Sequence, residues 1–201
     1  MQITQHFSTP FWMEPLTFDY AAVAETCIEI RDKSLHPNRV VSNKGGWQSD
    51  NLNFKQLIDT YPAFVEFYRE FVRAVELVGR SIHPEIEVTT RNAQVWININ
   101  ERGHSNISHI HPGSSISTVV YIQVDEDTGA IVFRDDYTPM KHYPKIPFPS
   151  TRSLLRPTEA ILPTQGMFLA FPGWVSHEVQ PSNSNLTRIS LAANLMLRQR
   201  S

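Results

Sequence analysis

Residues Arg188 to Leu197 read RISLAANLML, and two side-chain sets alternate along them. Ile189, Leu191, Ala193 and Leu195 fall on one side of an extended chain; Arg188, Ser190, Ala192 and Asn194 fall on the other. An arginine, a serine and an asparagine in phase with one another, backed by four apolar residues, predict a strand with one greasy and one polar face. The same period continues upstream. In WININ, Trp96, Asn98 and Asn100 oppose Ile97 and Ile99; in ISTVVYIQV, Ser117, Val119, Tyr121 and Gln123 oppose Ile116, Val120, Ile122 and Val124.

Everything after His83-Pro84 follows this pattern. EIEVTTRNAQVWININ reads as one or two strands, and SSISTVVYIQV, AIVFRD, TEAILP, GMFLAFP, SHEVQ and RISLAANLML as others, separated by turn residues. The front of the chain is different. Phe18 to about Lys33 has apolar residues near 3.6 spacing, with Thr17 or Asp19 placed to cap a helix. A second helical region, NFKQLIDTYPAFVEFYREFVRAVELVGRSI, aligns Phe64, Phe67, Phe71, Ala74, Val75 and Val78 on one stripe, and Pro62 marks a break or a fresh first turn. Between the helices, residues 35–54 are rich in turn formers and read as a long loop.

The expectation is therefore one α+β domain over residues 1–201, with helical support in 1–84 and a β-barrel core in 85–201. Helices covering the apolar face of one sheet would make this a double-stranded β-helix, the cupin-like jelly roll. The polar faces would then line the barrel interior, although a generic antiparallel sheet simply turns such a face to solvent. The Pro-rich segment 136–157 reads as a surface loop or lid.

Composition excludes several classes. The 201 residues carry 18 basic and 20 acidic side chains without a block of like charge, so no nucleic-acid partner is expected. No apolar run reaches membrane-spanning length and the N-terminus lacks a signal-peptide pattern, which predicts no membrane partner and a cytoplasmic location. Cys27 is the single cysteine, so any metal must be held by histidine and oxygen donors.

NISHIH, residues 106–111, supplies such donors. His109 and His111 project from the same side of an extended segment, close enough to share one ion, although a surface pair would look alike. His177 in FPGWVSHEVQPSNSNLTRIS is the third candidate. A hairpin with Pro181 to Ser184 as its loop would pair Gln180 with Asn185 and set His177 opposite Arg188 on one face. Three ligands on one face of an iron leave positions for an α-keto acid and O2, and the keto acid's far carboxylate needs a cation. Arg188 suits it through two parallel hydrogen bonds, with the Ser190 hydroxyl as a third donor.

HIHPGSSISTVVYIQVDEDTGAIVF, then GMFLAFPGWVSHEVQP, then RISLAAN resemble the core of the 2-oxoglutarate- and Fe(II)-dependent dioxygenase superfamily. FSTPFW, GGWQS, WININ and HIHP narrow the likeness to a 2-oxoglutarate–Fe(II) oxygenase subfamily with HxH in place of HxD. The resemblance implies an oxidoreductase that uses Fe(II), 2-oxoglutarate and O2 to hydroxylate a substrate with release of succinate and CO2. It maps the metal ligands to His109, His111 and His177, and the keto-acid pocket to Arg188 and Ser190. Tyr121 and Asn98 join that pocket by their inward phase. His111 is the departure, since it replaces a carboxylate and leaves the site one negative charge short. Glu178 is a poor substitute because it faces away from its neighbour His177.

Two other readings stay open at this point: zinc on the same histidines for hydrolysis or hydration, and a cupin-like binding module without turnover. His104 reads as a loop histidine or a substrate contact; Trp47 as a pocket wall or a staple holding its loop. Trp174 and Phe171 read as packing beneath His177. His36, His83 and His142 have no partner spacing. The substrate, small molecule or peptide, is not written in these motifs, and a homo-oligomer is left open.

Overall fold

The computed structural model describes residues 9–35, 38–135 and 158–200. The expected loop or lid at 136–157, together with His36 and His142, lies outside the described residues.

Helix α1 runs Tyr20–Asp32; Asp19 caps it by accepting the Ala22 N–H, and Val23, Ala24 and Cys27 are buried. Asn53 caps α2, Phe54–Thr60, through the Gln56 N–H. Pro62 precedes α3, Ala63–Ile82, where its ring is tolerated because the first-turn N–H groups have no helical partner. The whole predicted stripe of α3, from Phe64 to Val78, is buried. Each fully buried phenylalanine on it contributes about 1.5–3 kcal/mol.

Eleven strands are present among the described residues: β1 Trp12–Pro15, β2 Asn43–Lys44, β3 Trp47–Gln48, β4 Ile86–Asn100, β5 Ser105–His109, β6 Ile116–Gln123, β7 Ile131–Arg134, β8 Thr158–Ile161, β9 Met167–Pro172, β10 Ser176–Val179 and β11 Arg188–Gln199. They form a six-stranded sheet, ordered β1-β9-β6-β11-β4-β3, and a five-stranded sheet, ordered β2-β5-β10-β7-β8, with antiparallel pairing throughout. This is the jelly roll with helices on one sheet. Ile189, Leu191, Ala193 and Leu195 of β11 join Val95, Ile97, Ile99, Ile116, Val120 and Ile122 in one core with the α3 phenylalanines. Their alternating partners face the cavity between the sheets.

Of the two alternatives for β4 the structure has the single strand; its pairing with β11 steps from Gln94↔Asn194 to Thr89↔Met196, so residues 90–93 bulge, with Asn92 at φ 61°. Asparagine tolerates that left-handed geometry better than most residues. One expectation is corrected: β10 and β11 do not form a hairpin. His177 pairs with His109 on one side and Phe133 on the other, while Arg188 pairs with Asn100 in the other sheet. The connecting residues bond outward instead of to each other: Gln180 N–H to Ala130 O, Ser182 N–H to His104 O, Asn183 N–H to Asp127 O, and Ser184 Oγ to Asp125. Those bonds carry the chain across from one sheet to its partner. The front of the chain also differs from a purely helical support, because β1, β2 and β3 belong to the sheets.

Candidate active site

His109 ends β5 and His177 stands directly across from it on β10, so antiparallel pairing alone brings the two rings together, with centroids 4.3 Å apart. His111 lies two residues beyond β5, where its N–H donates to Gly173 O at 2.8 Å. Its ring turns back over the pair: centroids are 5.1 Å from both His109 and His177. One ring nitrogen from each histidine falls within 4.8 Å of the other two, and this is the one such cluster of possible metal donors found among the described residues.

Nitrogen geometry suits an ion. Nδ1 of His109 lies 2.7 Å from Ile107 O, and Nδ1 of His177 lies 3.0 Å from Val175 O. A carbonyl only accepts, so each Nδ1 carries the proton and Nε2 keeps a free lone pair. Nε2 of His111 and Nε2 of His177 are 3.3 Å apart. Two nitrogens each about 2.1 Å from a shared ion would stand roughly 3–3.4 Å from each other. Burial holds all three imidazoles neutral. Desolvation, then the neighbouring His109, push His177 down to about 3 and His111 to about 4; desolvation also lowers His109, against the opposing Ile107 carbonyl. Neutral imidazole is the form that binds metal. Phe171 packs against His177 at 4.8 Å and Phe133 at 5.8 Å, while Trp96 lies over His111 at 5.6 Å.

The facing sheet supplies the second half. Strand register sets Asn98, Ser190 and Tyr121 in one row across β4, β11 and β6, with Arg188 two positions along β11. Arg188 is 2% exposed, and its Nη1 has no hydrogen-bond partner among the described residues. A buried guanidinium N–H left unpaired is costly, so this atom marks the place of an absent acceptor. Burial raises the Tyr121 hydroxyl to about 12, with the Arg188 cation opposing part of that rise, so the phenol stays protonated and can donate. These four residues and the three histidines line one cavity of about 340 Å³.

All seven predicted site residues thus meet, although His177 and Arg188 do so across two sheets. Glu178 faces outward and pairs with Arg134 at 2.7 Å. His104 braces a turn, its Nδ1 accepting the Glu101 N–H, with Gly45 held close against its ring. Trp47 staples its loop to the core opposite Ile99. Phe171 lies against His177 as expected; Trp174 is 47% exposed. Sequence reasoning missed Gln48, Asn106 and Arg39 in the cavity wall, which come from short or irregular segments without period. Trp96 could have been found, because it shares the phase of Asn98.

A family model described as "Putative 2OG-Fe(II) oxygenase" matches residues 94–194, which spans half the chain and includes the three histidines and Arg188. No curated protein matches the sequence. Among solved structures, a prolyl-4-hydroxylase from Pseudomonas putida aligns with TM-score 0.53 and 14% identity over 96% of this chain and 94% of that one. The non-haem α-ketoglutarate-dependent epimerase SnoN from nogalamycin biosynthesis aligns at 0.65 and 10%, over 96% and 81%. A prolyl hydroxylase from Trichoplax adhaerens, in complex with a hypoxia-inducible factor peptide, aligns at 0.62 and 12%, over 92% and 83%. Identities this low speak for the shared jelly roll. With the family match and the three-histidine cavity, they identify the chain as a member of the 2-oxoglutarate- and Fe(II)-dependent oxygenases.

Proposed function

We propose that this oxygenase hydroxylates a small-molecule or peptide substrate in the cavity between its sheets, with His109, His111 and His177 holding the iron and Arg188, Ser190, Tyr121 and Asn98 holding 2-oxoglutarate. The observation that carries the assignment is the buried, unpartnered Nη1 of Arg188, a residue that lines the same cavity as the three histidines. When iron, 2-oxoglutarate and O2 are bound, the chemistry they supply is oxidative decarboxylation to succinate and CO2, coupled to placing one oxygen atom on a substrate C–H.

The chain's own residues bind and orient. Arg188 receives the far carboxylate through parallel N–H donors, and the Ser190 and Tyr121 hydroxyls add donors from the same row. Asn98 contributes an amide that can donate or accept. The Ile107 and Val175 carbonyls fix the His109 and His177 tautomers, which aims Nε2 inward without an energetic search at the moment of binding. Phe171, Ile131 and Val179 keep that end of the cavity apolar and limit water. No helix among the described residues is long and apolar enough to cross a membrane. A cytoplasmic setting belongs to the same proposal, supported by a single, buried cysteine.

The test is anaerobic reconstitution with Fe(II) and 2-oxoglutarate. The visible charge-transfer band of the chelate is expected, followed by succinate when O2 is admitted. Tightly held zinc with neither band nor succinate would overturn the reading.

A further inference from the structure

The cavity wall has an unusual charge balance. Among the described residues that line it, Arg39 and Arg188 are the charged side chains, and there is no Asp, Glu or Lys. Arg188 is matched by the far carboxylate of 2-oxoglutarate under the proposed function. Three neutral imidazoles bring no charge to an iron(II), so iron, Arg188 and the 2-oxoglutarate dianion together leave the site positive, and Arg39 adds to it.

Arg39 is held in place by neutral groups. Its Nη1 donates to Asn51 Oδ1 at 2.7 Å and its backbone N–H to Gln48 O. Asn38 braces the same turn, with Nδ2 on Gly46 O and Oδ1 accepting the Gln48 N–H. Asn51 orients the guanidinium without cancelling its charge, and among the described residues no other side chain is recorded on the fork, whose planar shape suits a two-oxygen acceptor. Beside it the cavity mouth is apolar and open to solvent: Val41 is 59%, Ile107 58% and Ile110 41% exposed, and all three line the cavity.

We propose that Arg39 is the specificity-determining residue for the prime substrate, and that this substrate is a carboxylate-bearing molecule with an apolar body. The carboxylate docks on Arg39 while the body lies along Val41, Ile107 and Ile110. The inference rests on the proposed iron and 2-oxoglutarate sites, since Arg188 must already be engaged.

The test uses paired probes that differ only in carrying a carboxylate or its neutral amide: hexanoate against hexanamide, and N-acetylphenylalanine against N-acetylphenylalaninamide. Each is titrated into the anaerobic Fe(II)–2-oxoglutarate complex, and the perturbation of its visible band is followed. The acids are expected to shift the band at concentrations roughly tenfold below those of their amides, as a charge-assisted hydrogen bond would give. Arg39→Gln should erase the preference for acids while leaving the unperturbed band intact, and Arg39→Lys should restore part of it. Equal binding of acid and amide, no shift with any acid, or a preference that survives Arg39→Gln overturns the inference. Loss of the band on adding an acid means displacement of 2-oxoglutarate from Arg188 and also overturns it. A missing band in the unmodified protein overturns the co-substrate sites and this inference with them.

Discussion

At position 111 a histidine stands where the wider superfamily carries a carboxylate, and its Nε2 nevertheless faces that of His177 at 3.3 Å. His111→Asp would return a negative charge to the same corner of the cavity. The expected outcome is retained iron with a shifted charge-transfer band; an unchanged band and unchanged iron affinity would remove His111 from the ligand set. Arg188→Ala should weaken 2-oxoglutarate binding by roughly 2–5 kcal/mol and leave metal binding intact, measured by titration of each. If iron is lost as well, the division of roles between the two sheets is wrong. Most of these residues were legible because a strand's period is two: it paired His109 with His111, and Arg188 with Ser190. The opposition of His177 to Arg188 was not legible as a hairpin, because partners for residues 180–184 lie in loops far away in sequence.

Elements of different length were legible to different degrees. The α3 stripe and the alternation of β11 are long enough for their own side chains to specify a buried face. β2 and β3 have two residues each, and β1 four. Such strands exist because an exposed edge of β5, β4 or β9 offers hydrogen bonds, which no local pattern records. The turn after β9 is another case. A Cβ added at Gly173 would stand 2.5 Å from Ser114 O and 3.1 Å from His111 O, so only glycine lets this turn approach the segment that carries His111. Gly173→Ala should displace that segment and lower iron affinity by about tenfold or more, the scale expected when groups that orient metal ligands are lost. Metal titration against a surface control such as Glu76→Ala checks it; equal affinities would show that the turn yields without moving His111.

For the molecule as a whole, the neutral histidines set a pH dependence. Their ordinary value is 6.5, and in the folded chain His111 sits at about 4 and His177 at about 3. The unfolded chain therefore takes up protons that the folded chain refuses, and stability falls as pH drops from about 6.5 toward 4. It is present in full above that window. In the presence of chelator, the melting temperature should drop between neutral pH and pH 5, and the drop should shrink in His177→Phe; a flat profile would contradict the burial of neutral rings. The core shared by helices and the six-stranded sheet has no part in this titration, because it is built from apolar groups.

Arg188 acts on that stability in the opposite sense. Its guanidinium is almost fully buried with one donor unmatched among the described residues, a cost to the folded state that an incoming anion would relieve. Arg188→Met should therefore be more stable than the parent by about 1–4 kcal/mol when no 2-oxoglutarate is present, and gain nothing when it is added. The parent should gain, and more so as the concentration rises. Half-life in a cell would then track the supply of the keto acid the protein consumes, coupling how long the enzyme survives to how well it is fed.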